Sequence, residues 1–176
     1  MKLLLPFLIL PLFASEPITS SAGITLITIP SGTFTMGSPD SEKSRSRDEA
    51  QREVKITSPF YIATTEVTQK QWLSVMGTTF EDLINKQRGP AGRGANLSSK
   101  PSAIGEEQPM CFVNWADAQE FCEALTKKDQ DAKIIPANLS YALPTEAQWE
   151  YACRAGTTTV FSSGNIFTSD LANFYG

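Results

Sequence analysis

The chain has 176 residues, a formal net charge of −4 and no histidine. Without histidine there is no Ser-His-Asp triad, no Cys-His pair and no His-ligated zinc within these residues. Acidic residues, 19 of them, outnumber 15 basic ones, and no basic stripe is present to attract phosphates, which argues against nucleic acid as a partner.

The opening MKLLLPFLILPLFASEP places one positive charge, Lys2, before an apolar run from Leu3 to Phe13 and the small residues Ala14 and Ser15. That order is the pattern of a cleavable signal peptide over residues 1–15, and it predicts export to the periplasm or the extracellular space. A membrane-spanning helix takes roughly 20 apolar residues. This run is shorter, Pro6 and Pro11 interrupt it, and no later segment is long and apolar enough, so the chain is not expected to span a membrane. Loss of Lys2 with the leader moves the net charge to about −5 and leaves about 160 residues, one domain of ordinary size.

Residues 16–23 read as a polar spacer and residues 24–176 as the domain. Ile24, Leu26 and Ile29, then Phe34 and Met36, are patterned as two strands with Pro30-Ser31-Gly32 as the turn, which predicts an opening β-hairpin. Residues 38–53 are charged without an apolar period and read as a solvated loop, and residues 54–64 return to strand patterning.

Three helices then share one design. Thr68 caps the first, with Gln71 in the third position, Trp72, Val75 and Met76 on one face, and Gly77 as a left-handed stop. Asn114 caps the second, with Asp117 three residues on and Trp115, Ala118, Phe121, Cys122 and Leu125 recurring inward at helical spacing. Thr145 caps the third, with Gln148 three on, Trp149, Ala152 and Cys153 inward, and Gly156 after the last turn. Each helix carries one tryptophan, a large ring suited to anchor packing. Between the first two helices the stretch Gln87 to Gly105 is rich in Gly, Pro and Ser. Its GPAGRG lacks the GxxxxGK[ST] order of a phosphate loop, so it reads as a plain loop. Leu171, Phe174 and Tyr175 form an apolar cluster with no closing helix or polar tail, the pattern of a domain interrupted partway.

Glu146 and Glu150 share a helix face, yet a structural role is expected for both. Glu146 favours the positive end of the helix dipole, and Arg154 is placed to pair with a nearby acid. Cys111, Cys122 and Cys153 form no CxxC motif. In an oxidising compartment an odd count leaves a spare thiol, a partner in another chain, or three small core residues.

MGS at 36–38, EVTQKQW at 66–72, PMCFVNWADAQEFC at 109–122 and YALPTEAQWEYACRAGT at 141–157 together resemble the formylglycine-generating enzyme, or sulfatase-modifying factor, family over roughly residues 24–176. The resemblance implies an α+β fold similar to C-type lectins, irregular and rich in loops. It also implies the chemistry of full-length members, which oxidise a sulfatase cysteine within CxPxR to formylglycine. Those enzymes use molecular oxygen and a copper ion held by two cysteine thiolates, soft ligands that suit copper in its lower oxidation state. The family's copper cysteines lie beyond a GNVWEW-like segment absent from these residues, so no catalytic residue carries over. Cys122 and Cys153 match positions of non-catalytic cysteines, which implies a disulfide or a buried thiol. LANFYG matches a calcium-binding segment, whose side-chain oxygen and following carbonyl map onto Asn173 and Phe174. Calcium takes six to eight oxygens, so further donors are needed.

Three functions follow from the resemblance. The first is an exported formylglycine-generating oxidoreductase of which this is the N-terminal part, acting on a sulfatase or another exported protein. A second is an iron-dependent oxidative relative, which the lack of histidine disfavours. The third is a non-catalytic binding or scaffold module with the same lectin-like fold.

Overall fold

The computed structural model describes residues 16–43, 45–88, 104–166, 168 and 170–171. The leader, the GPAGRG loop and both calcium candidates, Asn173 and Phe174, lie outside these residues.

The β-branched run TLITI forms β2, Thr25–Ile29, the centre of a three-stranded antiparallel sheet. On one side it pairs with β1, Ile18–Thr19, and on the other with a strand over Phe60–Ala63. A separate two-stranded antiparallel ribbon joins β3, Gly32–Met36, to β4, Arg52–Ile56, which makes Phe60–Ala63 the fifth strand, β5. Thus β2 and β3 exist where the alternation put them but do not pair as a hairpin. A two-residue hairpin turn needs positive φ, whereas Pro30 is fixed near −65°. The chain therefore leaves one sheet and enters the other.

The stretch expected as a spacer is part of the fold. Ile18 lies opposite Leu26, Ser20 is buried, and its hydroxyl accepts the Ile24 N–H at 3.0 Å. The charged loop is open to solvent as its composition requires, apart from Arg45, whose side chain is largely covered and pairs with Asp40 at 2.9 Å.

Helix α1, Gln69–Met76, carries the expected capping box between Thr68 and Gln71 and stops at Gly77, whose φ is +67°. Helix α2, Phe80–Arg88, has no counterpart among the expected elements. Its signal is nonetheless in the sequence. Thr79 and Asp82 exchange cap hydrogen bonds, and Phe80, Leu83 and Ile84 recur at helical spacing and are buried. Helix α3, Trp115–Asp131, begins at the Asn114–Asp117 capping box. Helix α4, Glu146–Arg154, begins at the Thr145–Gln148 box and ends with Ala155 in the left-handed region at φ +46°, one residue before Gly156.

The core lies between the three-stranded sheet and helices α1 to α3. It is made of Ile24, Leu26, Trp72, Leu83, Phe121 and Leu125, each worth roughly 1.5–3 kcal/mol on burial. The Trp72 and Phe121 rings stack at 5.2 Å. The salt bridge from Lys86 to Asp117, 2.9 Å long, ties α2 to the start of α3. Among the described residues no helix is long and apolar enough to cross a membrane.

Candidate functional site

Helix α4 has two unlike faces, and its inner face is held by polar contacts. Glu150 Oε1 accepts the Gly37 N–H at 2.9 Å and the Arg154 Nε–H at 2.7 Å. Arg154 Nη2 donates back to the Gly37 carbonyl at 3.1 Å, and Nη1 reaches the Thr159 carbonyl at 3.4 Å. One carboxylate and one guanidinium thus grip both polar groups of residue 37. Both charged side chains are only 21% exposed, which limits solvent screening of the pair. Beside this clamp the Tyr151 ring packs on Phe34 with centroids 5.2 Å apart, and its hydroxyl lies over Gly32, where a side chain would not fit.

The structural role expected for Glu150 and Arg154 is therefore what the geometry gives. Glu146 opens the helix as its first-turn acid.

The outer face of α4 corrects the sequence reading. Trp149 is 59% exposed and Cys153 is exposed, although both were expected to point inward. Trp115, at the first position of α3, is 68% exposed, so of the three tryptophans only Trp72 anchors the core. The buried stripe on α3 runs instead through Asp117, Phe121, Leu125 and Asp129. Trp115 lies two residues before this stripe begins, about 200° away around the helix.

Asp129 is fully buried and was not singled out from the sequence. Its carboxylate accepts the Ser21 N–H, 3.1 Å from Oδ1, and the Tyr141 hydroxyl, 2.7 Å from Oδ2. Burial, then the hydrogen bond to Asp129, raises the Tyr141 hydroxyl far above the usual tyrosine range. A carboxylate on the apolar stripe of α3 was the available signal.

All three cysteines are free, and no disulfide joins Cys122 to Cys153. Burial pushes the Cys111 thiol up, and burial together with the Glu123 charge does the same to Cys122. Cys153, implied to be buried or bridged, stands in solvent. These are not the paired thiolates that copper would need. Among the described residues no three His, Cys, Asp or Glu side chains gather as a metal cluster. A shallow cleft of about 390 Å³ opens between residues 39–43 and 158–165, lined by Glu42, Lys43, Val160 and Asn165 among others.

Residues 14–176 match the profile of the Sulfatase-modifying factor enzyme 1-like domain. Chaperone protein LppX of Paenibacillus barcinonensis is 34% identical over 125 residues, covering 56% of this chain and 37% of that protein. The formylglycine-generating enzyme of Bos taurus is 25% identical over 178 residues, covering 80% of this chain and 42% of the enzyme. An inactive C-alpha-formylglycine-generating enzyme 2 of Bos taurus is 27% identical over 190 residues, covering 86% of this chain and 56% of that protein. The structure of PvdO from Pseudomonas aeruginosa superposes with a TM-score of 0.60 at 26% identity, over 84% of this chain and 55% of PvdO. The chain thus spans about half the length of the proteins it matches. With the profile match running from residue 14 to residue 176, the chain belongs to the sulfatase-modifying factor enzyme 1-like domain family.

Proposed function

We propose that the chain acts outside the cytoplasm as a polypeptide-binding member of its family, presenting Trp149 and Trp115 to an exported partner such as a sulfatase. The observation that carries this reading is the two-faced α4. Its inner face is locked to Gly37, so Trp149 is held outward at 59% exposure on a fixed helix. Rigid exposed tryptophans supply large contact area at little entropic cost and are enriched among the residues that dominate interfaces. The likeness to a protein named as a chaperone supports the same reading, and the leader pattern supports the location.

The test titrates a sulfatase-derived peptide containing CxPxR and follows tryptophan emission. Trp149→Ala is expected to weaken binding about tenfold, the loss of about 1.4 kcal/mol, while leaving the melting temperature in place because the side chain is already in water. Equal affinity for variant and parent would sink the proposal.

A second reading is favoured by the match to formylglycine-generating enzyme over 80% of the chain. In it these residues are the first part of an oxidising domain whose paired cysteines lie beyond Gly176. Two cysteines a few residues apart in the reading frame beyond codon 176, together with an aldehyde on the CxPxR peptide in a mass spectrum, would establish it. In either reading Asn173 and Phe174 supply two oxygen donors to calcium. Loss of calcium-dependent stabilisation in Asn173→Ala is the expected result, and an unchanged melting temperature with and without calcium in the parent chain would refute it.

A further inference from the structure

The fold begins almost at the end of the leader. Ile18 and Thr19 are already paired with Leu26 and Thr25 in β1 and β2. The next residue, Ser20, is 5% exposed. Its N–H donates to the Ile24 carbonyl at 2.9 Å, and Gly23 closes the turn on the Ser20 carbonyl at 2.9 Å. Ser21 then donates its N–H to both oxygens of the buried Asp129, at 3.1 and 3.3 Å, across more than a hundred residues of sequence. Tyr141 holds the same carboxylate from the other side at 2.7 Å. Three separated parts of the chain, the first turn, the end of α3 and the segment before α4, therefore meet at one side chain.

An endopeptidase binds its substrate extended on both sides of the scissile bond, commonly as an added strand. Cleavage after Ala14 or Ser15 leaves only two or three residues between that bond and β1. We infer that docking of the first turn onto Asp129 closes the leader junction to its peptidase, so hydrolysis of the leader precedes completion of this fold. The inference rests on the leader reading given above. The step itself is ordinary peptide-bond hydrolysis: water adds across the bond, the leader keeps the new carboxylate, and the domain keeps the new amine. The order matters because Asp129 is reached by the turn only after α3 has formed, which places a late long-range contact next to an early processing event.

The experiment uses the full 176-residue chain with its leader, folded and purified, mixed with a detergent-solubilised signal peptidase. A peptide of residues 1–30, which lacks Asp129, is the comparison. The peptide is expected to be cut near Ala14 or Ser15, and the folded chain at least about tenfold more slowly, since cleavage then follows the small population in which the turn is open. Ser21→Pro removes the N–H that Asp129 accepts and is expected to bring the rate most of the way to that of the peptide. Tyr141→Phe, which keeps the ring and loses one hydrogen bond, is expected to raise the rate part of the way while cooperative thermal unfolding persists, so faster cleavage is not merely the mark of an unfolded variant. A cut peptide with an equally fast folded chain overturns the inference and leaves the leader reading standing. An uncut peptide overturns the leader reading and the inference with it.

Discussion

At residue 37 a single methyl group would meet the backbone oxygens of Glu49 at 2.6 Å and Ala50 at 2.9 Å, and the backbone there holds φ at +93°. Gly77 also has positive φ, +67°, but nothing lies within 4 Å of where its side chain would go. Gly77→Ala should therefore cost only the left-handed penalty, about 1 kcal/mol in urea unfolding. Gly37→Ala should cost more, on the order of 2–3 kcal/mol, because the backbone it strikes belongs to the loop facing it and cannot swing aside as a side chain can. Equal losses for the two variants would show that the tight approach at Gly37 is not under constraint.

Tyr141 gives a residue-scale dependence on pH. Its hydroxyl titrates higher in the folded chain than the value near 10 of an unfolded tyrosine, chiefly through burial and then through its bond to Asp129. A raised folded value means that the stabilisation is complete below about pH 10 and is lost as the pH rises beyond it. The parent chain should lose stability above pH 10 by a component that Tyr141→Phe lacks. The variant should be weaker by about 1 kcal/mol at neutral pH, where the bond to Asp129 is intact in the parent. Parallel stability curves for the two proteins above pH 10 would refute the assignment.

At the scale of elements, α4 contains no buried residue and is kept in place by Glu150, Arg154 and the Tyr151 ring. Arg154→Ala should speed hydrogen exchange across residues 146–154 while leaving α1 and α3 unchanged, since those helices draw their stability from the core around Trp72 and Phe121. Uniform loss of protection over all helices would mean that α4 and the core open together.

The same helix shows where sequence reading stops. Its capping box and length are legible, because caps depend on residues three apart. Its orientation is not, because Trp149, Ala152 and Cys153 make a plausible apolar stripe while the face that docks carries Glu150, Tyr151 and Arg154. The partner that selects the polar face is Gly37, 113 residues from Glu150, and no local period reveals it. Trp115 was misplaced for a related reason: it opens a helix whose buried stripe starts with an acid, Asp117. Of the proposed calcium donors, Asn173 and Phe174 could be named only through the resemblance, since two oxygens at adjacent positions make no pattern by themselves.

For the whole molecule, packing divides into two groups. The three-stranded sheet with α1 to α3 surrounds the main core, while α4 packs on the β3–β4 ribbon. The tryptophans report on both groups, since Trp72 is 3% exposed in the core while Trp115 and Trp149 are 68% and 59% exposed on α3 and α4. Because these are the chain's three tryptophans, a collisional quencher such as iodide should reach about two-thirds of the emission and leave the remainder shielded. In Trp72→Phe nearly all emission should be quenchable, although removal of the ring that stacks on Phe121 will also weaken the core. In Trp149→Phe the accessible share should fall to about half. Addition of the partner polypeptide then discriminates between surfaces. If it covers both exposed rings the quenchable share should drop towards zero, and if it covers only α4 the share should fall to about one-third in the parent and stay unchanged in Trp149→Phe. Full shielding of all three tryptophans before any partner is added would place Trp115 and Trp149 inside the molecule and remove the surface on which the proposed function stands.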